Sequence, residues 1–256
     1  MMELAKSNFP IALTFDIDWA PDFAIRKIVS ILEEHNVPGT LFLTHPSIFV
    51  ESLKDHPLIE FGIHPNFLPR SSHGQSLDEV FDYVLNLCPN TKAIRTHGLF
   101  QNSHLYFHIL KNYPQIQYDF SLYIPDNPYL TPFTFENEAN NSLIRIPYQW
   151  EDDLFLLSQA NSNKNKPILF DHGSYQIFDF HPIHVYLNSH SLSQYENLKV
   201  KIQSSLSCIE EFEAQSYVSE RYGVCSQLQT LMTNTTMDRF VFATQIPYLL
   251  SHSMDL

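Results

Sequence analysis

Residues 11–44 read IALTFDIDWAPDFAIRKIVSILEEHNVPGTLFLT, and the order of apolar and polar positions in this run decides the fold class. Ile11 to Phe15 is an apolar run closed by Asp16, the pattern of a buried strand. Over residues 21–35, Ile25, Ile28, Val29 and Leu32 fall on one face of a helix that starts near Pro21, a residue suited to a first helical turn. Val37-Pro38-Gly39 breaks that helix, and Thr40 to Thr44 reads as a second strand. Two strands joined by a helix are a parallel crossover unit.

The alternation continues outward from this unit. Leu58 to Ile63 is a third strand, and residues 76–88 form a helix with Ser76 as N-cap and Glu79 as its capping-box partner. Ala93 to Thr96 is a fourth strand, followed by a helix near 102–112 and a fifth strand near 116–122. Residues 123–142, rich in Pro, Asn and Thr, read as a long surface loop, and Asn161 to Lys166 as a polar turn. Ile177 to His181 is a late strand, residues 193–214 are helical, and Phe240 to Thr244 is a closing strand. Repeated strand–helix units predict an α/β fold with a parallel sheet, open or curled into a barrel. No repeat or linker divides the 256 residues, so one domain over 1–256 is expected.

Composition narrows the function. The chain is 44% hydrophobic and only 17% charged, which excludes a disordered polymer. A net charge of −13 without basic clusters speaks against nucleic acid or an anionic membrane surface as partner. No run approaches the roughly 18 apolar residues of a membrane span, and no leader pattern opens the chain, so a cytoplasmic protein is expected. Three cysteines without CxxC spacing read as reduced, packed thiols. Thirteen histidines against fifteen Lys plus Arg point to metal or proton chemistry.

The polar residues that close the strands carry that chemistry. Thr14-Phe15-Asp16-Ile17-Asp18-Trp19 ends the first strand, Glu60-Phe61-Gly62-Ile63-His64-Pro65-Asn66 the third, Arg95-Thr96-His97-Gly98 the fourth, and Asp179-Phe180-His181-Pro182-Ile183-His184 the late one. Carboxyl ends of parallel strands share one face, where ligands bind. Two close carboxylates repel unless a cation stands between them or beside them. A divalent metal on Asp18 and imidazoles would meet that need and leave Asp16 as base toward water. His64 and His73 are the nearest imidazoles, the loop from Pro65 to Ser72 folding back, and mixed N/O ligation suits Zn²⁺ or another transition ion. Asn66 is the competitor for the place of His73.

In order, ALTFDIDWAPD, EFGIHPNF, IRTHG, IPYQWEDD and FDFHPIHVYLN resemble the motifs of the polysaccharide deacetylases, carbohydrate esterase family four, and within them a divergent subgroup associated with lipopolysaccharide and O-antigen biosynthesis. The motifs cover residues 12–190. The resemblance implies a distorted, incomplete (β/α) barrel that removes acetyl groups from N-acetyl sugars with a divalent metal. It implies Asp16 as base, Asp18 and His64 as metal ligands, Arg95 as brace of the base and His181 as proton donor to the leaving group. Trp150 and the acids Glu151, Asp152 and Asp153 resemble the motif that walls the pocket and orients the acid, with Asp153 taken as the partner of His181. The family's second histidine falls on Leu68, which cannot ligate, so His73 is the proposed replacement. His97 stands where the family has proline. Trp19, Asn66, His97, Trp150 and His184 are candidates for contacting the N-acetylated sugar or glycan precursor. The sequence carries no signal for oligomeric state or for the particular sugar.

Two other readings compete. In a haloacid-dehalogenase-like phosphatase Asp16 would attack phosphorus, with Thr44 and Asp152-Asp153 in supporting roles, but His64, Arg95 and His181 would then be unexplained. A catalytically decayed, glycan-binding barrel would not be expected to keep so many polar strand ends, because buried unpaired charge is costly.

Overall fold

The computed structural model describes residues 9–159, 169–170, 172–201 and 206–252. Its strands are β1 (Ile11–Asp16), β2 (Gly39–Leu43), β3 (Ile59–Ile63), β4 (Ala93–Ile94), β5 (Tyr118–Asp119), β6 (Phe133–Glu136), β7 (Ser142–Arg145), β8 (Trp150–Glu151), β9 (Gln176–Phe180) and β10 (Phe240–Val241). The helices are α1 (Asp22–His35), α2 (Ile48–Ser52), α3 (Leu77–Leu87), α4 (Ser103–Asn112), α5 (Asp152–Gln159), α6 (Pro182–Leu187), α7 (Leu192–Lys201), α8 (Glu211–Gln215), α9 (Val224–Thr233) and α10 (Ile246–His252).

All strands join one sheet in the order β6-β7-β5-β4-β3-β2-β1-β9-β8, with β10 pairing β1. Every pairing is parallel except β6 with β7. The sheet curls into an incomplete barrel. Its two ends are joined by one bent run of chain: β7 pairs with β5, whereas β8, five residues later, pairs with β9.

Alternation along β1 explains the layers. Ile11, Leu13 and Phe15 face the helices and pack with Ile25, Ile28, Val29 and Leu32 of α1 and with Leu228 and Leu231 of α9. Ala12 faces the barrel interior, among Phe42, Phe120, Tyr148 and Ile177. Each aliphatic side chain buried this way contributes about 1.5–3 kcal/mol, so the α1 face is a main anchor of the fold. α1 stops at Asn36, whose φ of 50° lets its N–H reach back to the carbonyls of Leu32 and Glu33. α3 carries the expected capping box, with Ser76 Oγ accepting from the Glu79 N–H at 3.2 Å and the Glu79 carboxylate accepting from the Ser76 N–H. A third core lies between α3, α4 and the sheet, around Phe81, Ile94 and Ile109.

Three expectations change. Phe133–Glu136 is a strand inside the supposed loop, an exposed edge hydrogen-bonded antiparallel to β7. The expected 193–214 helix is broken: α7 ends at Lys201 and α8 starts at Glu211. Only Phe240–Val241 is strand in the closing segment; the chain then turns inward, and Ala243 and Ile246 plug the barrel interior. The turn expected at Asn161 to Lys166 lies outside the described residues. No helix of the described residues is long and apolar enough to cross a membrane.

Candidate active site

Five strand ends converge at the carboxyl rim. Interior-facing Thr14 and Asp16 come from β1, and Asp179 stands opposite Thr14 in the β9 register. Arg95, just past β4, is fully buried with its guanidinium between the rings of Phe42 (4.7 Å) and Tyr148 (4.5 Å). It donates to Asp16 Oδ1 at 3.0 Å, to Thr14 Oγ1 at 2.9 Å, to the Phe120 carbonyl at 3.2 Å and to Asp179. Burial works against the guanidinium charge, but Asp16 and Asp179 override it and hold Arg95 above its ordinary pKa. Asp179 is raised as well: burial holds its carboxyl well above the usual range despite the pull of Arg95. Arg95 therefore holds Asp16 in one orientation, at the end of its strand.

Asp18 sits on a turn that its own sequence does not favour. The Ala20 N–H closes the turn on the Ile17 carbonyl at 2.6 Å, and the two central residues have positive φ, 35° at Asp18 and 55° at Trp19. Such turns ordinarily take Asn, Asp or Gly, so Asp18 fits, but a tryptophan held there costs on the order of 1–3 kcal/mol. The turn aims Asp18 at three imidazoles. Its Oδ1 lies 3.1 Å from His64 Nε2 and 3.0 Å from His97 Nδ1, and its Oδ2 lies 3.5 Å from His181 Nε2. His64 Nε2 and His97 Nδ1 are 3.3 Å apart. Burial disfavours the Asp18 anion, yet hydrogen bonding from His181, His64 and His97 holds its carboxyl well below the ordinary value.

Asp18, His64 and His97 offer ligand atoms within metal-site reach of one another. Donors bound at 2.0–2.1 Å to a tetrahedral ion are separated by about 3.3–3.4 Å, and the three separations of 3.0, 3.1 and 3.3 Å come close to that edge. An oxygen and two imidazole nitrogens facing one point suit Zn²⁺ or another divalent transition ion.

His97, expected to touch sugar, thus stands in the place given to His73. His73 Nδ1 accepts the Asn66 N–H at 3.0 Å, which leaves the ring hydrogen on Nε2 and no lone pair there for a metal. The ring is stacked on Tyr83 at 4.5 Å, and burial lowers its pKa to about 4. Asn66 Oδ1 accepts from the Leu68 N–H at 3.0 Å and shapes the loop. The tight turn after Thr96 brings His97 in; Gly98 at φ 61° completes it.

The acid partner also changes. His181 Nδ1 lies 2.6 Å from Asp152 Oδ1, and the His181 N–H donates to Asp152 Oδ2 at 2.8 Å. Burial would depress the His181 ring, but the Asp152 and Asp153 charges hold it well above the usual imidazole range. Asp153 instead faces His184 Nε2 at 2.6 Å. His184 is buried, with Nδ1 on Ser189 Oγ at 2.9 Å, so it supports Asp153 rather than lining the pocket. Trp150 also departs from expectation: it pairs in register with outward-facing Phe178 and packs on Phe180 at 4.8 Å, outside the barrel. Its neighbour Glu151 turns inward and bonds the Tyr148 hydroxyl; burial pushes its carboxyl up to about 7. Trp19 sets its ring edge-on against His97 at 5.2 Å. Sequence reasoning placed Thr14 and Asp179 at polar strand ends without a role, and missed Tyr148, which looks like an ordinary core aromatic.

The rim of this parallel, incomplete barrel thus carries a buried arginine, an Asp/His cluster and a carboxylate-held histidine. Residues 13–199 match the family model described as WbmS-like polysaccharide deacetylase, and the chain belongs to that family. A Bordetella bronchiseptica structure described as a polysaccharide deacetylase involved in O-antigen biosynthesis is similar, with 29% identity, TM-score 0.74, and coverage of 88% of this chain and 90% of that one. More distant are the peptidoglycan deacetylase PdaC of Bacillus subtilis (10% identity, TM-score 0.46, 99% and 96% of the two chains) and a family 4 acetyl xylan esterase of Clostridium thermocellum with cobalt (13%, 0.42, 93% and 90%). No curated protein sequence matches the chain.

Proposed function

We propose that this protein is a metal-dependent hydrolase that removes an acetyl or similar acyl group from the nitrogen of an acylated sugar in a surface-polysaccharide precursor. The observation that carries this reading is the convergence of Asp18, His64 and His97 beside two further groups, Asp16 and His181, whose partners orient them for proton transfer. Asp18, His64 and His97 would hold the ion, most simply Zn²⁺. When bound, it supplies a positive charge that favours nucleophilic water and a developing oxyanion.

The chain's own groups do the rest. Arg95 keeps Asp16 Oδ1 occupied at 3.0 Å, and Oδ2, 3.5 Å from His64 Nδ1, is the oxygen that would accept a proton from water. His181, kept protonated by Asp152 and Asp153, offers Nε2–H to the departing nitrogen; an amine leaves poorly without that proton. Asp152 fixes which ring nitrogen faces the site by holding Nδ1. Cys88, Cys208 and Cys225 are all unpaired, which supports a reducing compartment, and hence action on a cytoplasmic precursor.

The test is acetate release from a panel of N-acetylated sugars, free, nucleotide-linked and lipid-linked, by metal-stripped and Zn²⁺-loaded protein. Release by the loaded protein alone is expected. Binding of a glycan with no acetate from any substrate would turn the reading toward a binding barrel, and phosphate release with an aspartyl-phosphate at Asp16 toward a phosphatase.

A further inference from the structure

We propose that the Thr44 hydroxyl, backed by the His45 ring, is the positioning group that holds the Asp18–Trp19 turn in the shape that presents Asp18 to the metal. This rests on the metal site proposed above. The turn has both central residues, one of them tryptophan, at positive φ. A bulky residue there persists only where the surroundings over-determine it. One closure is local, the Ala20 N–H on the Ile17 carbonyl. The Trp19 N–H goes elsewhere: it donates to Thr44 Oγ1 at 3.1 Å, across from the end of the neighbouring strand β2.

Thr44 is fully buried, and its hydroxyl lies 2.9 Å from His45 Nδ1. That contact orders the hydrogen bonds. With Nδ1 as acceptor, the hydroxyl gives its hydrogen to the imidazole and keeps its lone pairs for the Trp19 N–H. Burial holds the His45 ring below the ordinary imidazole pKa, so the ring stays neutral with one nitrogen able to accept. Thr44, with His45 behind it, thus clasps the segment that carries Asp18. Outer groups of this kind typically change metal affinity about 10–100-fold when removed.

The experiment is Zn²⁺ affinity by competition with a chromogenic chelator, on the full chain, for wild type, Thr44→Val and Thr44→Ser. Valine keeps the shape and loses the hydroxyl; serine keeps the hydroxyl. Thr44→Val is expected to weaken Zn²⁺ binding about 10–100-fold, with Thr44→Ser within a few-fold of wild type. The melting temperature of each metal-free protein is measured beside it, because a merely structural role lowers that temperature while leaving affinity in the folded protein unchanged. If Thr44→Val does not fold, His45→Leu, which removes the ring partner of the hydroxyl, should weaken Zn²⁺ in the same direction. Wild-type affinity in Thr44→Val, or equal weakening in valine and serine variants, overturns the clasp while leaving the metal site intact. A wild-type protein that binds no Zn²⁺ overturns the metal reading itself, and the clasp with it.

Discussion

Replacing Asp152 with asparagine, and separately Asp153 with asparagine, tests which of two adjacent acids sets up the proton donor. Asp152 is fully buried and makes two bonds to one residue, 2.6 Å to the His181 ring and 2.8 Å to its backbone N–H. The Asp152→Asn change would remove the charge and offer an amide that can face Nδ1 in the wrong sense. Because a general acid is worth about 10²–10⁴-fold, most of that range should be lost in Asp152→Asn. Asp153 has a half-exposed side chain bonded to His184 and reaches His181 only through space, within 4.8 Å. Solvent screening cuts such an interaction to about 1 kcal/mol, or roughly fivefold in rate. The pH profile separates the two further. His181 is raised in the folded protein, so its proton is lost only as pH climbs through that raised value. The alkaline limb of kcat should move to lower pH in Asp152→Asn, and less in Asp153→Asn. Steady-state acetate release from pH 5 to 10 is the assay. A larger loss in Asp153→Asn, or an unmoved alkaline limb in Asp152→Asn, would refute the assignment.

Arg95→Leu should strand Asp16 and Asp179 in the interior, costing about 3–5 kcal/mol and lowering Tm by roughly 6–20 °C in a chain of this size; Asp179→Asn added to it should recover part, and a Tm within 2 °C (about 1 kcal/mol) of wild type would show that the brace is not structural. His97→Ala should lose tightly bound Zn²⁺ by elemental analysis while His73→Ala keeps it, and the reverse would return the ligand role to the loop. Glu151 loses its proton near pH 7 when folded but near about 4.5 when unfolded, so the unfolded chain holds fewer protons between those values and stability falls as pH rises through that window. Glu151→Gln should flatten the dependence of Tm on pH between 5 and 7, by about 2 kcal/mol; an unchanged slope would place the effect on another group.

The first crossover unit was legible because its two periods are clean: the apolar run of 11–15 and the helical face at Ile25, Ile28, Val29 and Leu32 both became buried surfaces of one core. The Ser76–Glu79 capping box was legible because it is local chemistry. β6 was hidden because its side chains are all exposed and only pairing with β7 makes Phe133–Glu136 a strand. Asp152 and Asp153 differ by about 100° around the axis of α5, so adjacency in sequence says nothing of which meets His181. His97 and His73 were separable only by what Nδ1 of His73 accepts, a hydrogen bond seven residues back along the chain at Asn66. The positive φ at Trp19 has no sequence mark, because a bulky aromatic is not a residue that such turns favour.

The central claim is that Asp16 takes the proton of the attacking water beside a metal held by other residues. Its most direct test is acetate release by Asp16→Asn protein whose Zn²⁺ content is measured in the same sample. The amide oxygen of that variant can still accept from Arg95, as Asp16 Oδ1 does at 3.0 Å, but the amide cannot take a proton from water. Full Zn²⁺ occupancy with acetate release reduced about 10²–10⁴-fold is the predicted result; near wild-type release at full occupancy would contradict it.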